Sequence, residues 1–122
     1  MHSIVRILSV GIITCFSTII TVSHGHASES FQKKINDYFS LDLPQNPSTA
    51  YSWVVTSLPQ NLALAGMDYR EDKDCNGRLG CGGSLRVTFR VIQAGVGEIR
   101  LKYVRPFEPM PKDFKSYHIE SR

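Results

Sequence analysis

Apolar side chains fall at every second position over most of the chain. Phe39, Leu41 and Leu43 alternate with Ser40 and Asp42, and after a break at 44–50 the alternation resumes at Tyr51, Trp53 and Val55. A period of two puts each apolar set on one face of a strand, and Pro44 is expected to end the first of them. Leu85, Val87, Phe89 and Val91 alternate with Arg86, Thr88 and Arg90, and Ile99, Leu101 and Tyr103 alternate with Arg100 and Lys102. Ala94-Gly95-Val96-Gly97 lies between these two runs and reads as a tight reversal, so they are expected to pair as an antiparallel hairpin. Leu62, Leu64, Met67 and Tyr69 supply one further strand or two, with Gly66 at a bulge. Phe31 marks a short first strand, and 114–120 a last one with Tyr117 and Ile119 facing inward.

Six to eight short strands with no helical period predict an all-β fold, an antiparallel β-sandwich of immunoglobulin type. Trp53, mid-strand, is expected to centre its core, with Tyr51 a core residue beside it. Three segments interrupt the alternation: 44–50, the charge- and glycine-rich 70–84, and 104–111, in which Arg105 to Pro111 holds three prolines. In a sandwich whose strands run up and down, all three emerge at the same end, because each joins an arriving strand to a departing one.

The start of the chain does not share this pattern. Met1 to Arg6 is short and basic, Ile7 to Val22 is apolar apart from a few Ser, Thr and Gly, and Gly25-His26-Ala27 offers small residues for cleavage. Residues 1–27 therefore read as a secretion signal, with retention as a membrane anchor the alternative to its removal. Taking 27 residues from 122 leaves one domain, residues 28–122, that is expected to be monomeric, secreted or periplasmic, and free of the membrane once cleaved. The whole chain carries 14 Lys and Arg against 11 Asp and Glu, a net charge of +3 with no basic cluster, which points away from nucleic acid. Cys75 and Cys81 remain after cleavage, and in an oxidising compartment two cysteines so close are expected to form one disulfide.

The three interruptions also carry motifs. Asn46-Pro47-Ser48-Thr49-Ala50, Gly80-Cys81-Gly82-Gly83 and Arg105-Pro106-Phe107 resemble, in order and separation, the signature loops of the chagasin family of cysteine protease inhibitors, patterned Asn-Pro-Thr-Thr-Gly, Gly-x-Gly-Gly and Arg-Pro-Trp. Tyr51-Ser52-Trp53 after the first loop and Tyr103-x-Arg105-Pro106 before the third fit as well, and the resemblance spans nearly all of 35–121. It implies an immunoglobulin-like domain that reversibly and tightly blocks papain-like cysteine proteases and has no reaction or cofactor of its own. The chain departs from the pattern at Ala50, which stands where the family has glycine, and at Phe107, which stands where it has tryptophan.

Elementary chemistry gives each motif a role. A papain-like protease has a long cleft with a Cys–His ion pair at its centre, and a blocking protein must fill it with stiff backbone that offers no scissile carbonyl in attack geometry. Pro47 and the side chains of Asn46, Ser48 and Thr49 stiffen the first loop, and Thr49, with a hydroxyl available as donor or acceptor, is the candidate closest to the catalytic pair. Gly80, Gly82 and Gly83 let the second loop lie flat on one wall and pair through backbone, while Arg105 and Phe107 grip the other.

Other classes fit less well. His24 and His26 leave with the signal, so one histidine, His118, and two paired cysteines provide neither a catalytic dyad nor a metal site. The glycine loop is not placed between strand and helix as a phosphate cradle would be. The competing class is a secreted adhesion or ligand-binding module on the same sandwich.

Overall fold

A computed structural model describes Gly11 and residues 29–122. The expected signal segment, Gly11 apart, and its cleavage point after Ala27 lie outside the described residues. Seven strands follow in chain order: β1 Glu29–Lys33, β2 Tyr38–Gln45, β3 Ser52–Ser57, β4 Leu62–Glu71, β5 Gly83–Val91, β6 Gly95–Val104 and β7 Asp113–Ser121. They form a four-stranded sheet of order β1-β7-β6-β3 and a three-stranded sheet of order β2-β5-β4. The all-β immunoglobulin-like sandwich read from the pattern is present, with one parallel pair in it, β1 against β7.

The alternating positions fill the space between the sheets. Phe39, Leu41 and Leu43 of β2, Trp53 of β3, Leu62 of β4, Leu85, Val87, Phe89 and Val91 of β5, Ile99 and Leu101 of β6, and Tyr117 and Ile119 of β7 make one buried cluster. Each such side chain withdrawn from water contributes about 1.5–3 kcal/mol. An aromatic run of Phe31, Phe39 and Phe89, with ring centroids 6.0 and 5.4 Å apart, ties β1 to the opposite sheet.

The expected hairpin of 85–91 with 99–103 does not form. β5 is the central strand of its sheet, with β2 on one side and β4 on the other, so it has no free edge to offer β6. The chain instead crosses at 92–94 to the other sheet, where β6 pairs with β3 and β7. The glycines there serve close approach: a Cβ on Gly97 would overlap the ring of Pro59, and one on Gly95 would touch Asn61 at 3.4 Å. Buried Asn61 closes that end of the sandwich by donating to the Gly95 carbonyl at 3.2 Å and to Ser121 Oγ at 2.8 Å.

β5 forms its hairpin with β4 instead, in register from Leu62–Val91 to Glu71–Gly83, with a shift at Leu64/Gly66 that is the expected bulge, and β6 forms one with β7. Pairing therefore runs further than the aperiodic stretch implied, and the loop narrows from 70–84 to 72–82. Pro44 does not end β2, which runs on to Gln45; β2 is an edge strand, so the missing N–H costs no ladder bond.

Candidate functional site

β2, β4 and β6 arrive at one end of the sandwich, and the loops that leave it, 46–51, 72–82 and 105–112, are bonded to one another there. The first begins at Asn46, an extended residue (φ −126°) that caps one turn of 3-10 helix over Pro47–Thr49. Its Oδ1 accepts from Ser48 N at 3.1 Å and from Ser48 Oγ at 2.6 Å, and its Nδ2 donates to the Gly80 carbonyl of the second loop at 3.1 Å. Its backbone N–H donates to Tyr103 Oη at 3.1 Å. One side chain thus shapes the first loop and ties it to the second.

Thr49 and Ala50 finish the turn. Thr49 Oγ1 donates to the Asn46 carbonyl at 2.7 Å, so its hydroxyl is spent as a donor and faces a partner only as an acceptor. Ala50 N donates to the Pro47 carbonyl at 3.0 Å, and Ala50 itself is left-handed, with φ 63° and ψ 4°. A Cβ in that region costs about 1–2 kcal/mol, which explains why glycine suits this position. Pro47, Ser48, Thr49 and Ala50 are all exposed.

The second loop is cross-linked by Cys75–Cys81, with Cα atoms 5.8 Å apart and Cys75 buried. Gly80 is exposed with φ 82°, a conformation open to glycine, and the adjoining Leu79 is fully exposed. Gly82 is half-buried beside Gln45 and Asn46. Gly83 lies in β5 and is buried, and a Cβ there would overlap the Arg70 carbonyl oxygen, so its lack of a side chain serves the sheet. Cys81 is half-buried and held in the disulfide, so within the Gly80–Gly83 motif Gly80 is the exposed residue, with exposed Leu79 before it and Gly82 half-buried after it.

The third loop stands on an aromatic column. Trp53, 2% exposed, stacks on Tyr103 with centroids 4.9 Å apart, and Tyr103 stacks on Tyr51 at 5.2 Å. Trp53 Nε1 donates to the Pro44 carbonyl at 2.8 Å, and its backbone N–H to Gln45 Oε1 at 3.2 Å, which fixes the base of the column to the strand leading into the first loop. On its outer end, the Arg105 guanidinium lies 4.9 Å and Lys112 Nζ 5.0 Å from the Tyr51 ring centroid. Arg105, Pro106 and Phe107 form a turn closed by Glu108 N donating to the Arg105 carbonyl at 3.4 Å. Pro106 supplies the preset φ of the second turn position, and Phe107 takes φ 67° at the third, with its ring fully exposed.

Two expectations change here. Tyr51, read as core, is half-buried outside the core cluster and is the strut between sandwich and third loop. Arg105 braces that strut as well as facing outward. Glu108 and Lys112 carry no signal in the sequence, and Tyr103, named there as a strand position and as the lead into the third loop, is the middle of the column; the paired Tyr51-x-Trp53 and Tyr103-x-Arg105 spacing is the signal that one column joins β3 to β6. An open cleft of about 440 Å³ lies behind the loops, with Asn46, Trp53, Asp72, Gly82 and Tyr103 among its lining.

Residues 32–120 match the family described as "Chagasin family peptidase inhibitor I42". The chain belongs to the chagasin family. Its members are inhibitors and not enzymes, so an unrelated adhesion module is set aside. Amoebiasin-1 of Entamoeba histolytica is 34% identical over 97 residues, covering 80% of this chain and 82% of that protein. The fold is shared with the cysteine protease inhibitor EhICP2 of the same organism, at a TM-score of 0.69 and 23% identity over 78% of this chain and 87% of that one. It is shared also with Amebosin, at 0.64 and 28% over 76% and 88%.

Proposed function

We propose that this chagasin-family chain is a reversible, tight-binding inhibitor of papain-like cysteine proteases that occupies the active-site cleft with the three loops at one end of its sandwich. The observation that carries the reading is the mutual bracing of those loops: Asn46 links the first to the second, and Tyr51 links the sandwich to the third. A nanomolar complex needs about −12 kcal/mol, and a standard interface of roughly 800 Å² per partner supplies that only when little ordering remains to be done on binding.

In this reading the Pro47–Ala50 turn enters the cleft. Its helical closure keeps the backbone from the extended shape that a protease cuts, and Thr49 Oγ1 offers an acceptor toward the imidazolium. Gly80 and Gly82 bring a side-chain-free backbone against one wall, with Leu79 beside them. Phe107 provides the apolar plate on the other wall, an aromatic anchor whose ring is exposed before binding and desolvated by it. A secreted or periplasmic place of action follows from the leader-like first 27 residues and is supported by the Cys75–Cys81 bond, which needs an oxidising compartment.

The test is a titration of the purified protein into papain at fixed substrate. Turnover should fall in proportion to inhibitor added and return on dilution, with the inhibitor recovered uncut. Undiminished turnover at micromolar inhibitor, or cleavage between Asn46 and Tyr51, overturns the reading.

A further inference from the structure

Phe107 poses a physical problem. It is a bulky residue with φ 67°, in a turn whose ring touches no core, and such a conformation persists only where its surroundings over-determine it. The i to i+3 bond of the turn, at 3.4 Å, is long. What holds the turn is the next residue. Glu108 Oε2 accepts from Tyr51 Oη at 2.7 Å, and Oε1 pairs with the Arg105 guanidinium at the other side of the turn. Tyr51 is in turn stacked on Tyr103 and through it on buried Trp53.

We propose that Glu108 is the positioning residue of the third loop: its carboxylate clamps the Arg105–Phe107 turn to the Tyr51–Tyr103–Trp53 column and so holds Phe107 in the left-handed conformation that presents its ring to the protease. This rests on the inhibitory reading above for its consequence, though not for its geometry. The clamp needs the ionised form, because a protonated carboxyl no longer pairs with Arg105. The groups facing that carboxyl are Tyr51, Arg105 and Lys112, with Tyr103 behind Tyr51. The Tyr51 hydrogen bond first, and then Arg105, hold its pKa below the ordinary glutamate range, whereas the Glu108 bond holds the Tyr51 phenol above its own. The clamp is therefore complete above the ordinary carboxyl pKa and is lost as pH falls through the lowered one, with Tyr51 a donor throughout.

The test compares wild type with Glu108→Gln and Tyr51→Phe. Backbone relaxation on the free proteins should give the Phe107 amide an order parameter of about 0.8 in wild type at pH 7, and below about 0.6 in Glu108→Gln at pH 7 or in wild type once acid titration, followed on the Glu108 carboxyl carbon, has protonated that carboxylate. The inhibition constant of Glu108→Gln for papain at pH 7 should rise about fivefold, the cost of ordering a freed side chain on binding, and that of Tyr51→Phe about threefold. The double variant should be no worse than Glu108→Gln alone. An order parameter that Glu108→Gln leaves unchanged, or a pH response that survives in Glu108→Gln, overturns the clamp. A wild-type protein that does not inhibit papain sinks the functional reading, while the relaxation arms still judge the clamp.

Discussion

Replacing Asn46 separates loop shape from loop register. In Asn46→Asp the side chain keeps the acceptor that caps the turn through Ser48 but loses the Nδ2 donor, and a carboxylate then faces the Gly80 carbonyl oxygen. Asn46→Ala removes both functions. The cap is worth about 1 kcal/mol and the bond to Gly80 about 0.5–1.5 kcal/mol, at the lower end because it is exposed. If the Asp variant frees the first loop from the second, association must fix that degree of freedom again, and its inhibition constant for papain should rise about fivefold. The Ala variant also frees the turn itself, so about 2 kcal/mol is at stake and the rise should be about thirtyfold. Inhibition titrations, with thermal melts alongside, measure both. The midpoint should fall by about 8–16 °C in Asn46→Ala, and the melt sets the assay temperature at which the variant is still folded. An Asp variant that inhibits within twofold of wild type would refute the argument that register between loops matters, and equal losses in Asp and Ala would refute the division of roles.

Three further outcomes follow from the geometry. Ala50→Gly relieves a left-handed alanine costing about 1–2 kcal/mol and gives back about 0.5–1 kcal/mol of unfolded-state entropy, so urea unfolding should show a net gain of about 0.5–1 kcal/mol, and a loss would contradict the observed φ. Thr49→Arg should weaken inhibition far more than Ser48→Arg, since Thr49 is the residue assigned to the cleft centre; equal effects refute that ranking. Gly83→Ala should destabilise the fold by about 2 kcal/mol or more in the same unfolding assay, because its Cβ meets the Arg70 backbone, whereas Gly82→Ala should stay within about 0.5 kcal/mol.

Much of the fold was legible because period-two alternation reports which face is buried, and β2, β5 and β6 obey it closely. Alternation says nothing about which strand lies alongside. The mistaken hairpin arose there: Gly95 and Gly97 read as turn residues, yet they exist to let β6 pass Asn61 and Pro59 on its way to the other sheet. Tyr51 was misread for a related reason. Its spacing from Trp53 and Val55 places it on the core face, but β3 begins at Ser52, and beyond a strand's end the same face looks out beneath a loop. The motifs located the three loops, and the conditional cost at Ala50 was foreseeable from the glycine it replaces. What holds the loops together was not legible, since Asn46 to Gly80 and Tyr51 to Glu108 are 34 and 57 residues apart and join through side-chain bonds that no local pattern encodes.

Three separate segments act as one preformed surface, and amide hydrogen exchange on the papain complex reads that surface directly. Protection should rise together at 46–50, 79–82 and 105–108 and stay unchanged at the far end around Lys34 and Gly95. Protection confined to one loop, or gained at the far end instead, would contradict it.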